Sequence, residues 1–324
     1  MKKENYGISL LRIWACIFVV CTHYHRNWEV WPDNYTYFWF LTVPVYFLIS
    51  FYFGEKMFFE PDFDKKKNRL KRLLFPYLFW CVVSWLVADR TLKGLALQIF
   101  TGTVERINPV FWFLCDIMVM TLFFMILAAL FKYKKLPVLI ILSVISVLFV
   151  ISEYEGTLYR LMENMPYEVI NSYGRIIEMT PFMTEGLLLK ELKIPEKLEK
   201  KRWVALPVLL VSFIIILLFR KTILPTAGYT YAFSGLSFII LAPVTFLFFW
   251  LLPFDGLNEK VKKVIKFFST YVMSAYALHW IVGKLFPFNS LIWCICLAAL
   301  CMLFGALLCK IPGKPGEFFK KVCC

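Results

Sequence analysis

Residues 8–25 of the chain read ISLLRIWACIFVVCTHYH, an apolar run that is nearly long enough to cross a membrane and yet contains an arginine. Arg12 precedes His23 by about three helical turns, so the two side chains lie within roughly 20° of one helix face and about 16 Å apart along the axis. A charged side chain in hydrocarbon is costly unless it faces a partner or a cavity. The stretch therefore predicts a functional helix face that carries a guanidinium near one leaflet and an imidazole near the other.

The composition is typical of a polytopic membrane protein. Of the 324 residues, 60% are hydrophobic and 19% are aromatic, whereas soluble domains contain about 45–50% apolar residues. The net charge of +14 comes from Lys and Arg in short loops between apolar runs, so it does not indicate a nucleic-acid partner. We expect an all-α chain that forms one integral membrane domain over residues 1–324, with the lipid bilayer around it.

Ten apolar stretches are long enough to cross, or nearly cross, about 30 Å of hydrocarbon. They span residues 7–25, 36–54, 70–88, 109–131, 136–152, 173–190, 203–220, 232–252, 264–285 and 289–309. Loops on the side of the N-terminus hold 26 of the 36 Lys and Arg residues, against nine on the opposite side. This imbalance predicts that both termini are cytoplasmic. Between the third and fourth stretches, the segment 89–108 predicts a short amphipathic or re-entrant helix.

Two of the three histidines are expected at the same depth in different helices. With cytoplasmic termini, His23 and His279 rise about 24 Å and 22 Å from the inner ends of their helices, and Asp116 lies near the same level. Imidazole is suited to accept a proton from a hydroxyl near neutral pH, and a carboxylate such as Asp116 can orient it. The alternative is that each histidine only holds helices together by hydrogen bonding.

A basic cluster precedes the third apolar stretch, in KKKNRLKRLLFPYLFW at residues 65–80. Arg69 and Arg72 are one turn apart on a helix, and Lys71 lies beside them. A cytoplasmic cluster of this kind suits a ligand that carries phosphate groups. A positively charged run that only sets the orientation of the chain in the membrane explains it equally well.

Charged residues also occur in the sixth stretch, where Arg175 is followed by Glu178 and Glu185. The two glutamates share a helix face, and one of them is a candidate partner for Arg12; they form either structural ion pairs or part of a ligand path. The sequence has no P-loop, GxGxxG, HExxH or CxxC motif, so we expect neither nucleotide hydrolysis nor a catalytic metal.

Five stretches, in this order, resemble acyltransferase family 3, the ten-helix membrane O-acyltransferases that modify bacterial surface polysaccharides. Arg12 and His23 reproduce the Arg-x10-His signature of the family's first helix. The other four stretches are PVYFLIS (44–50), RLKRLLFPYLFW (69–80), NPVFWFL (108–114) and YVMSAYALHW (271–280). Arg-x10-His alone is a weak signal, whereas five stretches in the family's order are fairly specific.

The resemblance implies a multi-pass enzyme of the plasma (inner) membrane. It implies that cytoplasmic acyl-CoA, most simply acetyl-CoA, donates an acyl group to a hydroxyl of a surface polysaccharide or a lipid-linked glycan. On this hypothesis His23 is the general base. The candidates for holding CoA are Arg12, Arg69, Arg72 and Lys71. Arg12, His279 and Asp116 are further candidates for catalysis, and Trp112, Glu178 and Glu185 for substrate binding.

Two other classes of protein remain open. A non-enzymatic exporter of polysaccharide or lipid would also line its path with charged intramembrane residues, but it predicts inverted halves with matching broken helices, and no such symmetry is visible in the sequence. A sensory or interaction protein that has lost the chemistry of the fold is the third possibility. The presence of both Arg12 and His23 argues against it.

Overall fold

A computed structural model describes residues 4–24, 41–88, 90–102, 104, 107–154, 175–223, 236–285 and 290–324. Over these residues the regular structure is helical, apart from one isolated bridge between Val104 and Asn108. The all-α prediction is therefore confirmed for the described part of the chain. In chain order its α-helices are α1 Tyr6–Tyr24, α2 Thr42–Phe59, α3 Phe63–Val87, α4 Leu92–Thr101, α5 Trp112–Leu130, α6 Lys135–Tyr154, α7 Arg175–Glu191, α8 Ile194–Glu199, α9 Arg202–Ile223, α10 Leu236–Leu251, α11 Glu259–Thr270, α12 Val272–Leu285, α13 Leu291–Cys309 and α14 Lys314–Cys323.

Six helices in the described ranges are long and apolar enough to cross a membrane, namely α1, α3, α5, α6, α9 and α13. Each of the ten predicted stretches coincides with at least one helix. The remaining helices at these positions, α2, α7, α10 and α12, are shorter or less apolar. A total of ten spans and the cytoplasmic position of both termini stay predictions.

The ninth stretch, predicted as one helix over residues 264–285, is two helices. The chain leaves α11 at Tyr271 and continues as α12. Helix α11 carries four lysines among alternating apolar residues, a pattern typical of a helix that lies along a membrane surface rather than across it. A chain that runs along the surface has to turn before it enters the apolar layer, and this explains the break.

Two helix boundaries follow from side-chain caps. Helix α3 begins seven residues before the predicted position because the Asp62 carboxylate accepts a hydrogen bond from the backbone N–H of Lys65 at 3.0 Å. The predicted short helix in 89–108 is confirmed as α4. The Thr91 hydroxyl caps its first turn, and Gly102, with φ of +69°, ends it in the left-handed conformation that glycine favours.

Close helix packing fixes the position of α7 beside α2. Gly186 of α7 faces the backbone carbonyl of Leu48 in α2, and a Cβ atom at this glycine would collide with that carbonyl. Helix α1 packs instead against α2, α10 and the helices α11 to α13. Helix α2 therefore has α1 and α7 as separate neighbours.

Ion pairs between elements join segments that the charge count assigns to the cytoplasmic side. Lys135 contacts Glu55 at 2.5 Å and Glu191 at 2.7 Å, and Lys266 contacts Glu4 at 3.0 Å. Lys135 therefore lies together with Glu55 and Glu191, and Lys266 lies together with Glu4. This arrangement agrees with the predicted topology.

Candidate active site

A cavity of about 2200 Å³ runs along α1. Its lining includes Ile8 near the start of this helix and His23 near its end, which are about 22 Å apart at 1.5 Å per residue. Arg12 lines the same cavity. The common face of Arg12 and His23, expected from their spacing, thus faces a protein-lined space.

Arg12 is held by contacts that leave its charge without a carboxylate partner among the described residues. The guanidinium donates to the Ser269 hydroxyl at 3.5 Å, and the Tyr46 hydroxyl donates to the backbone carbonyl of Arg12 at 2.6 Å. The expected pairing of Arg12 with Glu178 or Glu185 is wrong. Both glutamates belong to α7, which packs mainly against α2 and α6, whereas α1 packs against α2 and the helices α10 to α13.

His23 and His279 come together from two helices, at a ring-centroid distance of 5.3 Å. The Trp280 ring lies edge-on to His23 at 5.8 Å. His279 is fully buried, and its Nδ1 is 2.9 Å from the Ala275 carbonyl oxygen. A carbonyl only accepts hydrogen bonds, so Nδ1 carries the proton and Nε2 is the basic nitrogen of the neutral ring. Because the two rings are in contact, the two histidines lie at the same level of the helix bundle, as expected.

Arg175 lies near His23 of this pair. It lines the cavity, and its guanidinium carbon is 4.2 Å from the centroid of the Trp112 ring, a cation–π contact. Its charge acts on both His23 and Asp116. Trp112 also lines the cavity, so the substrate-binding candidate of α5 and the arginine of α7 meet at one place. We call His23, Trp112 and Arg175 the imidazole end of the cavity.

Asp116 does not orient a histidine as expected. The carboxylate is completely buried, and neither of its oxygens makes a hydrogen bond to a described residue. The charges that act on it are those of Arg175 and Glu178. Instead, the His279 ring forms a hydrogen bond with the backbone carbonyl of Ala275, one turn earlier in the same helix. The Asp116 carboxylate is therefore not needed to fix the tautomer of His279. Asp116 contributes to the electrostatics of the imidazole end from outside the cavity lining.

The two glutamates of α7 do not line the cavity. Glu178 is buried and interacts electrostatically with Asp116, and Glu185 lies two turns further along the same helix. A direct role for Glu178 and Glu185 in substrate binding stays a prediction.

The basic cluster of α3 lines the cavity at its other end. Arg69 donates to the Ser50 hydroxyl at 2.6 Å, and Arg72 and Lys71 are exposed beside it. Two residues that sequence reasoning did not select, Lys320 and Lys321 of α14, join this cluster. We call Arg69, Lys71, Arg72, Lys320 and Lys321 the basic mouth.

Sequence reasoning also left several site residues without a role. Local sequence patterns indicate Arg175 only as a neighbour of two glutamates, and they give Tyr46 and Tyr276 no role in the site. Tyr276 lines the cavity, donates a hydrogen bond to the Val110 carbonyl and lies 6.3 Å from His279 by ring centroids. A useful signal was available for Tyr276, because it precedes His279 by three residues and so shares its helix face.

Comparison with known proteins assigns the family. The family model described as "Acyltransferase domain" matches residues 5–311, which include the cavity lining except for Glu4, Lys320, Lys321 and Cys324. The chain belongs to acyltransferase family 3. Together with its apolar helices, this makes it a multi-pass membrane acyltransferase. No curated protein and no solved structure matches the chain.

Proposed function

We propose that this acyltransferase moves an acetyl group from cytoplasmic acetyl-CoA to a hydroxyl of a surface polysaccharide or a lipid-linked glycan. The observation that carries the proposal is the single cavity that joins the basic mouth to the imidazole end. An acyl-CoA has phosphates at one end and a thioester at the other, connected by an extended chain. A cavity with cations at one end and an imidazole at the other complements both groups.

The donor enters through the basic mouth. Arg69 and Arg72 present planar guanidinium groups, which bind phosphate oxygens with paired hydrogen bonds, and Lys71 adds a third cation. Arg12 lies between the mouth and His23 along α1, where it assists in holding the CoA arm. Since the loops with the higher Lys and Arg content lie at this end, the mouth opens to the cytoplasm of a cell with this protein in its plasma (inner) membrane.

His23 acts as the general base at the far end. Its imidazole takes the proton from the acceptor hydroxyl while the hydroxyl oxygen attacks the thioester carbonyl carbon. The C–S bond then breaks, the ester remains on the acceptor, and the CoA thiolate leaves and recovers a proton. His279 supports His23 as a neighbouring neutral imidazole.

Arg175 is placed to stabilise the negative charge that develops on the thioester oxygen. A cation held in a fixed position beside the reacting carbonyl stabilises such an oxyanion without the reorganisation that solvent would need. Its cation–π contact with the Trp112 ring helps to hold the guanidinium in place. Trp112 thereby contributes to the acceptor side of the site as well as to its rigidity.

Two measurements test the donor and the acceptor. Purified protein is incubated with labelled acetyl-CoA, and bound label is compared with that of Arg12→Ala; we expect wild-type protein to bind and the variant to bind at least about tenfold more weakly. Surface glycans of cells with and without the protein are then compared by mass analysis. In cells without the protein, we expect the surface glycans to lose their O-acetyl groups. A smaller amount of glycan at the surface, with the remaining glycan still acetylated, would indicate an exporter.

A further inference from the structure

Helix α14 lies outside the residues that the family model matches, which end at 311. It nevertheless docks firmly on the family domain. The Trp80 indole N–H of α3 donates to the Val322 carbonyl at 2.8 Å, and the Ser274 hydroxyl of α12 donates to the Cys323 carbonyl at 3.0 Å. The side chains of Val322 and Cys323 are completely buried. The last turn of α14 is therefore fixed between two helices of the catalytic domain.

Aromatic packing fixes the rest of α14. The Phe318 ring lies 5.4 Å from Phe75 and 5.0 Å from Phe79, both in T-shaped contacts with the face of α3. Such edge-to-face pairs each contribute about 0.5–1.5 kcal/mol beyond the area they bury. Because these contacts fix how α14 lies against α3, they also fix where the polar residues of α14 lie relative to α3.

The polar residues in question are Lys320 and Lys321, which line the cavity together with Arg69 and Arg72 of α3. Lys320 contacts Glu317 at 2.6 Å, and both side chains are more than half exposed. Ion pairs at this level of exposure contribute little, about 0–1 kcal/mol, so the lysine can exchange this carboxylate for a stronger anion.

The carboxylates of the cavity lining do not balance these cations. Glu4 is paired with Lys266 and Glu55 with Lys135, and neither of these lysines lines the cavity. The basic mouth therefore keeps an excess of positive charge, contributed from two sides by α3 and α14. Cations that line one cavity repel one another, and an anion bound between them offsets this repulsion.

We propose that α14 is an additional donor-binding element, and that Lys320 and Lys321 bind the phosphate groups of CoA opposite Arg69 and Arg72. The inference rests on the proposed function, since it names further residues for the same donor. It assigns to α14 a role in affinity for the nucleotide part of the donor. It assigns α14 no contact with the acetyl group, because that group lies at the other end of the cavity.

The test compares two double variants that remove the same charge. Lys320→Gln/Lys321→Gln alters the basic mouth, whereas Lys310→Gln/Lys314→Gln removes two exposed lysines of the same segment that do not line the cavity. Affinities of purified protein in neutral-lipid nanodiscs are measured for acetyl-CoA, 3′-dephospho-acetyl-CoA and S-acetylpantetheine. Acetyl-CoA carries both the 3′-phosphate and the diphosphate. The second probe lacks the 3′-phosphate, and S-acetylpantetheine has neither phosphate groups nor a nucleotide.

We expect Lys320→Gln/Lys321→Gln to weaken acetyl-CoA binding about tenfold, or about 1.4 kcal/mol, and to leave S-acetylpantetheine binding unchanged. The control variant should bind all three probes as the wild type does. Equal acetyl-CoA affinities for the two double variants would overturn the role of α14, as would an equal loss for S-acetylpantetheine. If wild-type protein binds S-acetylpantetheine and acetyl-CoA with the same affinity, phosphate recognition by the mouth fails. If it binds neither, the donor in the proposed function is wrong.

Discussion

The basic mouth and the imidazole end belong to one cavity but are built from different kinds of residue. The mouth consists of long cationic side chains, several of them exposed, on the ends of α3 and α14. The imidazole end consists of rings and one stacked guanidinium, brought together from α1, α5 and α7. Flexible hydrated cations suit binding, while a rigid and desolvated arrangement suits chemistry. The comparison predicts that substitutions at the mouth change donor affinity and that substitutions at the imidazole end change the transfer rate.

The largest effect is expected at His23. His23→Gln keeps a polar side chain but removes the base, so the transfer rate should fall by about 1000-fold while the affinity for acetyl-CoA stays within about twofold. Transfer from labelled acetyl-CoA to the acceptor and equilibrium binding measure the two quantities separately. Thr22→Val is the matched control, because Thr22 lines the cavity beside His23 and its hydroxyl is bonded to the Val19 carbonyl of the same helix. An active His23→Gln protein would remove the base assignment.

A smaller effect on the same quantity is expected at Arg175. Arg175→Gln should lower the transfer rate by about 100-fold, since the oxyanion loses its cation, and should leave donor affinity nearly unchanged. Arg175→Lys retains the charge but not the planar guanidinium group over the Trp112 ring, and a partial recovery of rate is expected. Single-turnover rates provide the measurement. If both variants lose donor binding instead, Arg175 belongs to donor recognition and the proposed division between the two ends fails at this residue.

The smallest of these effects is expected at the mouth. Arg69→Gln should raise the dissociation constant of acetyl-CoA by about tenfold, with no change in the transfer rate at saturating donor. Lys67→Gln is the matched control, because Lys67 is exposed on the same helix and does not line the cavity. Titration of acetyl-CoA binding distinguishes the two variants. A loss of transfer rate at saturation in Arg69→Gln, with unchanged affinity, would contradict the assignment.

Features of the site that follow from local helix geometry can be predicted from the sequence. The phase between Arg12 and His23 and the spacing of Arg69 and Arg72 depend only on positions along one helix, and the cavity lining contains all four. The equal depth of His23 and His279 required one more assumption, that their helices cross the same membrane, and the rings are in contact.

Features of the site that depend on which helices are neighbours could not be predicted from the sequence. The charge pattern predicts a partner for Arg12 in α7, but α7 packs beside α2 and the guanidinium binds Ser269. Asp116 was expected to orient an imidazole, although it lies among the charges of Arg175 and Glu178.

The role of α14 was equally hidden. Nothing in the local pattern around Lys320 and Lys321 indicates that this helix folds back onto α3. The contacts that hold it there involve Trp80 and Ser274, which are 242 and 49 residues from their partners in the sequence.

The most direct test of the central claim is a cryo-EM structure of His23→Gln with bound acetyl-CoA, a variant chosen because it should bind the donor without consuming it. We predict that the CoA phosphates lie among Arg69, Arg72 and the α14 lysines, and that the acetyl group lies between residue 23 and Arg175. A donor bound entirely within the mouth, with its thioester far from residue 23, would contradict it. So would a donor bound outside the cavity.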